Sequence, residues 1–417
     1  MPKKELRLAF SQKWRVLLLL ALAELLVMSL WFSATAVTPA LIQEWSLSTG
    51  DAAWLTMTVQ LGFVTGALAS ALFNVSDLWA PRKVFAAGAF AGAGLNALIP
   101  LLAHGLPLAL LLRFATGVTL AAVYPVGMKI IATWTKEDRG LGLGLLVGAL
   151  TVGTASPHLL RGLGGIAEWH PVLYTVSGLA TAGGLLVWFY GTLGPHRAPA
   201  PKFRWSYLSR SITERGLRLA NFGYLGHMWE LYAMWTWIPL FLTFAYASAP
   251  GASVFGALGP ERTAALVAFL AIAAGGPGSL LAGRLADRWG RTRTTIASMV
   301  ISGSCAVTIG LFVNGHPYIV TAVALIWGFT IVADSAQFSS AVSELGEREY
   351  VGTLLTAQTS MGFLLTLVTI RLIPGVVDWV GWRWAFAVLV IGPILGSLAM
   401  WRLMRSPEAA KLAGGRG

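Results

Sequence analysis

The chain has a single cysteine, Cys305, among 417 residues. It can therefore form no internal disulfide and no thiolate-held metal cluster. Charge is scarce as well. Asp, Glu, Lys and Arg together make 12% of the residues, against roughly 25% in a soluble domain. No nucleophile–base set, phosphate-cradling loop or metal-ligand spacing appears, which leaves an enzyme without chemistry and predicts neither cofactor nor metal. No cleavable signal is visible, because the first apolar run is too long for a signal core and lacks a small-residue cleavage pattern.

What is present is apolar. Hydrophobic residues make 56% of the chain and the mean hydropathy is +0.69. A soluble fold of this size has no way to bury that much apolar surface, so the bilayer is the expected solvent, with spans of about 20 residues as the unit. Eighteen Trp and 47 Gly fit interfaces and helix contacts in lipid. The net charge of +12 is scattered over short loops without a stripe for a phosphate backbone, which argues against nucleic acid.

Twelve apolar helices are expected, near residues 14–40, 52–73, 84–102, 106–134, 140–160 and 172–193, then 217–245, 263–285, 294–312, 318–343, 351–373 and 384–403. Of the 30 Lys and Arg, 24 lie in or beside the loops that share a side with the amino terminus. By the positive-inside rule both termini are cytoplasmic, in the inner or plasma membrane of the cell. The longest polar segment, 194–216, is Pro-rich and basic, and reads as a cytoplasmic linker. It divides the chain into a six-helix bundle at 1–193 and a second at 217–417.

The halves resemble each other. Asp77, Leu78 and Trp79 align with Asp287, Arg288 and Trp289, and Arg161, Gly165 and Trp169 align with Arg371, Gly375 and Trp379, all at an offset of 210. Near an offset of 206, Glu24, Leu25, Met28 and Trp31 align with Glu230, Leu231, Met234 and Trp237. Several matches in corresponding spans argue for a duplication of the kind that builds many carriers.

Between the eighth and ninth spans stands GRLADRWGRTR, residues 283–293. It resembles the signature loop of the major facilitator superfamily, G-x-L-a-D-r-x-G-r-k/r. With twelve expected spans, a repeat after six and a basic central linker, the resemblance covers nearly the whole chain. It implies an all-α membrane fold of two pseudo-symmetric six-helix bundles and a secondary transporter. It also implies a conformational latch at Gly283, Asp287, Arg288, Gly290 and Arg291, with Asp287 accepting hydrogen bonds from helix N-termini and pairing with an arginine. The first-half copy keeps Asp77 but has Phe73 and Ala80 at the glycine positions. Arg113 to Gly117 matches the family's R-x-x-x-G, which is linked with proton coupling in some members. Residues 153–158 resemble the drug-antiporter pattern only loosely.

Ionisable residues deep in lipid are costly and usually face a partner or a wet cavity. In this family spans one, four, seven and ten line the central cavity, and here they carry Glu24, Arg113, His227 with Glu230, and Asp334 with Gln337 one turn on. His227 and Glu230, three apart, share a helix face. Glu24 and Arg113 fall about 14 Å and about 20 Å from the same side, close enough to pair. Tyr124, Trp31, Trp235 and Trp237 are candidates to stack on a solute. Gly140, Gly144 and Gly148 form a close-packing face on span five. Arg161 and Arg371 are expected to snorkel or pair with Glu168 and Asp378.

The reading is a proton-coupled secondary transporter of a small polar solute, an organic anion or a zwitterion, acting as a monomer by alternating access, with Glu230 as the coupling carboxylate and His227 tuning it. A multidrug/proton antiporter is the rival on the same fold. A non-transporting membrane sensor or enzyme is the rival from another class.

Overall fold

The computed structural model describes residues 3–73, 79–135, 139–164, 168–196, 205–249, 258–347 and 350–417. Among them the chain is helical throughout, with no strand. The first half holds α1 (Lys3–Met28), α2 (Thr49–Leu72), α3 (Pro81–Leu102), α4 (Leu106–Trp134), α5 (Arg139–Gly164) and α6 (His170–Tyr190). The second holds α7 (Arg215–Ala247), α8 (Gly259–Trp289), α9 (Arg291–Phe312), α10 (Pro317–Leu345), α11 (Val351–Val380) and α12 (Trp382–Met404).

Ten of these, all but α1 and α7, are long and apolar enough to cross a membrane. The two exceptions are long, at 26 and 33 residues, α1 being basic over its first half and α7 less apolar. His227, Glu230 and a run of Trp and Tyr lower the hydropathy of α7. The apolar part of α1 stops where the helix breaks at 29–32.

Local chemistry sets the ends. Ser48 and Asp51 form a reciprocal capping box at the start of α2, which satisfies two backbone donors that the helix leaves free. Pro81 and Pro317 open α3 and α10, and Pro107 sits in the first turn of α4, where a missing N–H is harmless. Four helices are interrupted. After the break at 29–32 the path of α1 resumes in Ser33–Ala36 and Thr38–Trp45. The helix α4 breaks at 121–123, α8 at Ala274 and α10 at Asp334.

The packing repeats. In the first half α1 lies against α5 and α6, α2 against α4, and α3 against α4 and α6. In the second half α7 lies against α11 and α12, α8 against α10, and α9 against α10 and α12. Each pair is the image of another six helices away, so the duplication in the sequence is also a duplication in space. The halves meet along α5 with α8 and α2 with α11. At the first contact Gly148 faces Gly276 and Gly144 faces Leu280, so the glycine face of α5 lets two backbones approach closely.

The segment before α7 contains a helix, Trp205–Thr213. It lies on the side where α4 and α10 end, here called the linker face. Tyr207 stacks on Tyr350 with ring centroids 3.2 Å apart, and Arg210 pairs with Glu347 at 2.5 Å.

Candidate functional site

On the linker face the halves part around a cavity of about 460 Å³. Met128 and Gly144 contribute from the first half, and Ser279, Arg284, Asp287 and Gln337 from the second. On the opposite face the halves are closed. Arg262 of α8 donates to the carbonyls of Gly162 (3.1 Å) and Leu163 (3.3 Å) at the end of α5. The Arg371 guanidinium covers Gly50 at the start of α2, 3.2 Å from where a β-carbon would stand. Between the two faces lies an aromatic layer. Trp31, Phe32 and Phe63 meet Tyr232, Trp235 and Phe363 with centroids 4.9 to 6.2 Å apart.

A polar path leads inward from the cavity along α10. Arg291 at the start of α9 donates to both oxygens of Glu344, at 2.5 and 2.8 Å, and to Gln337 Oε1 at 2.9 Å. One turn deeper, where α10 breaks, Asp334 Oδ1 stands 2.8 Å from His227 Nδ1, an ion-pair distance without hydrogen-bond alignment. The other ring nitrogen of His227 shares a hydrogen bond with Ser335 Oγ at 2.9 Å. A further turn along α7, Glu230 Oε1 accepts from Trp327 Nε1 (2.7 Å) and Oε2 from Ser302 Oγ (2.9 Å). Asp334 is thus the partner of His227.

Neither acid expected on the cavity wall is on it. Glu230 is enclosed within the second half by α9 and α10, and only 1% exposed. Its hydrogen bonds to Ser302 and Trp327 turn it away from the gap between the halves. Glu24 is fully buried, and its carboxyl lies against Gly127 of α4 with no hydrogen-bond partner among the described residues. Its electrostatic neighbour is Tyr124, which in turn lies within reach of Tyr224 and Tyr232 on α7.

The expected pairing of Glu24 with Arg113 is not formed. Arg113 Nη1 donates to Leu30 O (2.8 Å) and Ser33 Oγ (3.1 Å), Nε to Leu55 O (3.2 Å), and Nη2 to Trp31 O. The break in α1 leaves carbonyls without intrahelical donors, and a guanidinium with five N–H groups satisfies them better than a carboxylate elsewhere would reward it. Ser33 passes the network on to Asn96 (2.6 Å), which donates to Leu173 O and Ser177 Oγ, each at 3.0 Å. Arg113 is therefore bonded to the broken stretch of α1 and to α2 in this structure, not to Glu24.

The latch is only partly as expected. Gly290 forms a one-residue turn between α8 and α9 with φ +98°, a conformation that favours glycine. The ion pair beside it is Arg291 with Glu344. The Asp287 carboxylate is exposed and makes no ion pair or hydrogen bond among the described residues, nor does the exposed Arg288. Instead the Asp287 carbonyl accepts from Arg416. Gly283 has open space where a β-carbon would stand. Residues 407–417 fold back over the turn, with Thr292 Oγ1 donating to Gly417 O (2.7 Å) and Ala413 N to Glu344 Oε2 (3.0 Å). Asp77, the surviving residue of the first-half copy, lies outside the described residues. Arg161 donates to Ala36 O at 3.1 Å instead of pairing with Glu168.

Sequence reasoning passed over Gln60, whose Oε1 lies 2.5 Å from Thr366 Oγ1 across the halves. It also passed over Gln358, which donates to Asn221 Oδ1 at 3.0 Å, and over the imidazole of His158, fully buried in α5 with neither nitrogen partnered among the described residues. Each is a lone amide or imidazole in an apolar run, the signal that could have found it.

The sequence matches the Major Facilitator Superfamily over residues 20–260 and 244–417. The chain belongs to the major facilitator superfamily. As a member it is a multi-pass membrane transporter of small solutes and not an enzyme. Two hexuronate transporters of Escherichia coli, from strain K12 and from O157:H7, are each 25% identical to this superfamily member over 448 residues, covering 96% of this chain and 96% of theirs. A crystal structure of the nucleoside transporter NupG superposes with a TM-score of 0.71 at 14% identity, covering 93% of this chain and 99% of that one. At that identity the likeness speaks for the fold alone.

Proposed function

We propose that this protein moves a small organic anion, with sugar acids as the first class to test, together with a proton. The observation that carries the reading is the path from the cavity to the His227–Asp334 pair. A buried imidazole beside a carboxylate changes charge with one proton, and a charge change at a helix break shifts the balance between two packings of the same helices. The curated relatives carry the word hexuronate in their names, which supports the solute class.

In this reading the bundles at 1–193 and 217–417, joined by 194–216, rock about the aromatic layer. The linker face is cytoplasmic, following the distribution of Lys and Arg, and the working unit is one chain. Glu230 holds the coupling proton, reached through His227 and Asp334. Glu24 and Tyr124 meet the solute when the cavity deepens, and Gln337 with the turn at 283–291 controls access to it. The test is uptake of labelled glucuronate or galacturonate into proteoliposomes with and without an imposed pH gradient. Gradient-stimulated uptake that is lost in His227→Gln supports the reading. Sugar-acid uptake indifferent to the gradient removes the coupling, and uptake of nucleosides but no sugar acid removes the substrate class.

A further inference from the structure

On the outer side of the second half, α9 and α12 diverge to leave a groove of about 700 Å³. Its floor is where Gly303 meets Pro393, with only 2.9 Å left for a β-carbon. The walls are Ile296, Val300, Ile394 and Leu398, with Trp401 at one end. The hydroxyls that reach it are already committed. Ser304 donates to Val300 O, Thr308 to Ser304 O, and Ser397 to Met299 Sδ. The groove therefore offers a ligand apolar surface alone. From Ile296 to Thr308 it runs about 18 Å at 1.5 Å per residue, slightly more than one leaflet of a core about 30 Å thick.

Its linker-face end is different. Arg293 precedes Ile296 by three residues and Val300 by seven, so it stands on the groove side of α9. Arg405 follows Trp401 by four residues, and its guanidinium carbon lies 4.1 Å from the centre of that ring. Both arginines are exposed, and neither has a carboxylate partner among the described residues. The two helices that wall the groove thus each end in an unpaired cation at the same level, one braced against an interfacial tryptophan.

We propose that this groove is a binding site for one anionic phospholipid, with an acyl chain along Val300 and Ile394 and the headgroup phosphate between Arg293 and Arg405. The two features are complementary in charge and spacing to one molecule. An apolar slot one leaflet long fits a chain, and a pair of cations at the headgroup level fits a phosphate. A zwitterionic lipid fills the slot equally well but gains less from the arginines.

The test is native mass spectrometry of the purified, delipidated full chain titrated with palmitoyl-oleoyl phosphatidylglycerol or with phosphatidylcholine of the same chains. The expected result is one phosphatidylglycerol retained per chain with a preference of about tenfold over phosphatidylcholine. Arg293→Gln with Arg405→Gln, both on the surface, should abolish the preference and leave weak retention of either lipid. Val300→Trp, which fills the slot, should reduce retention of both. Equal retention of the two lipids by the unaltered chain, or a preference that survives the double arginine change, overturns the proposal. So does Val300→Trp binding as tightly as the unaltered chain.

Discussion

The imidazole of His227 and the carboxylate of Asp334 face each other across the contact of α7 with α10, 2.8 Å apart and almost wholly removed from solvent. Removing one member of such a pair leaves the other buried and uncompensated, which costs about 3–5 kcal/mol, whereas replacing both costs less. His227→Gln and Asp334→Asn should each lower the melting temperature in detergent, and the double change should recover part of the loss. A double variant whose loss equals the sum of the singles would mean that the two do not interact.

Glu230 separates coupling from folding. In Glu230→Gln the amide still accepts from Trp327 and places its NH2 toward the Ser302 hydroxyl, so melting should shift little. Gradient-driven uptake should fall to the level of passive exchange. Glu230→Ala should be worse for stability, since it strands the buried Trp327 indole N–H at about 1–3 kcal/mol, while Ser302 keeps its bond to Met299 O. Full gradient-driven transport by the Gln variant would end the assignment of the coupling proton to this carboxyl.

Arg113 should behave as a structural residue. Arg113→Lys keeps the charge but cannot reach Leu30, Trp31, Ser33 and Leu55 together, because an ammonium has three donors at one point where guanidinium spreads five. Folded yield should drop sharply for Lys and for Gln alike. If Lys restored melting and transport, charge alone would be its role.

Gly290 predicts a dependence between distant residues. An alanine there meets two costs: a positive φ with extended ψ, at roughly 1–3 kcal/mol, and a collision with the carbonyls of Arg416 and Gly417. In a chain ending before Pro407 only the first cost remains, so Gly290→Ala should destabilise the shortened chain less than the full one. Equal losses by thermal melting would show that the segment does not rest on the turn in solution.

The same segment should be acid-sensitive. A hydrogen bond from Ser406 is the largest influence holding the Glu408 carboxyl below its ordinary 4.5. A depressed carboxyl contributes stability above its unfolded value and loses it as pH falls through the folded one. Glu408 is only half-buried, so the effect is small. Proteolysis between residues 407 and 417 should quicken modestly below about pH 4.5, and Glu408→Gln should remove that pH dependence while leaving the rest of the profile unchanged.

Much of the architecture was legible because lipid simplifies the problem. Apolar runs, the twin offsets and the turn at Gly290 each follow from one local rule, and His227, Glu230 and Asp334 stand out as ionisable residues in apolar runs. Their partners were not legible. The break at 29–32 in α1 has no proline to announce it, so nothing marked the carbonyls that Arg113 satisfies. Glu230 and Glu24 occupy matched positions in the repeat, yet one is bonded to Ser302 and Trp327 while the other has no hydrogen-bond partner among the described residues. Two hydroxyl and indole neighbours, supplied by helices about 70 and 100 residues away, decide that difference, and no pattern along α1 or α7 encodes it.

On the proposed reading, the aromatic layer of Trp31, Phe32, Phe63, Tyr232, Trp235 and Phe363 has the role of an electrical insulator. If a proton enters from the cavity as proposed, these rings are the barrier it meets beyond His227, Asp334 and Glu230. The membrane voltage must then fall mainly across this thin septum, where carrying one charge through is worth about 2.3 kcal/mol per 100 mV. Any charge that crosses does so when the rings separate, which ties ion flow to the turnover of the whole molecule.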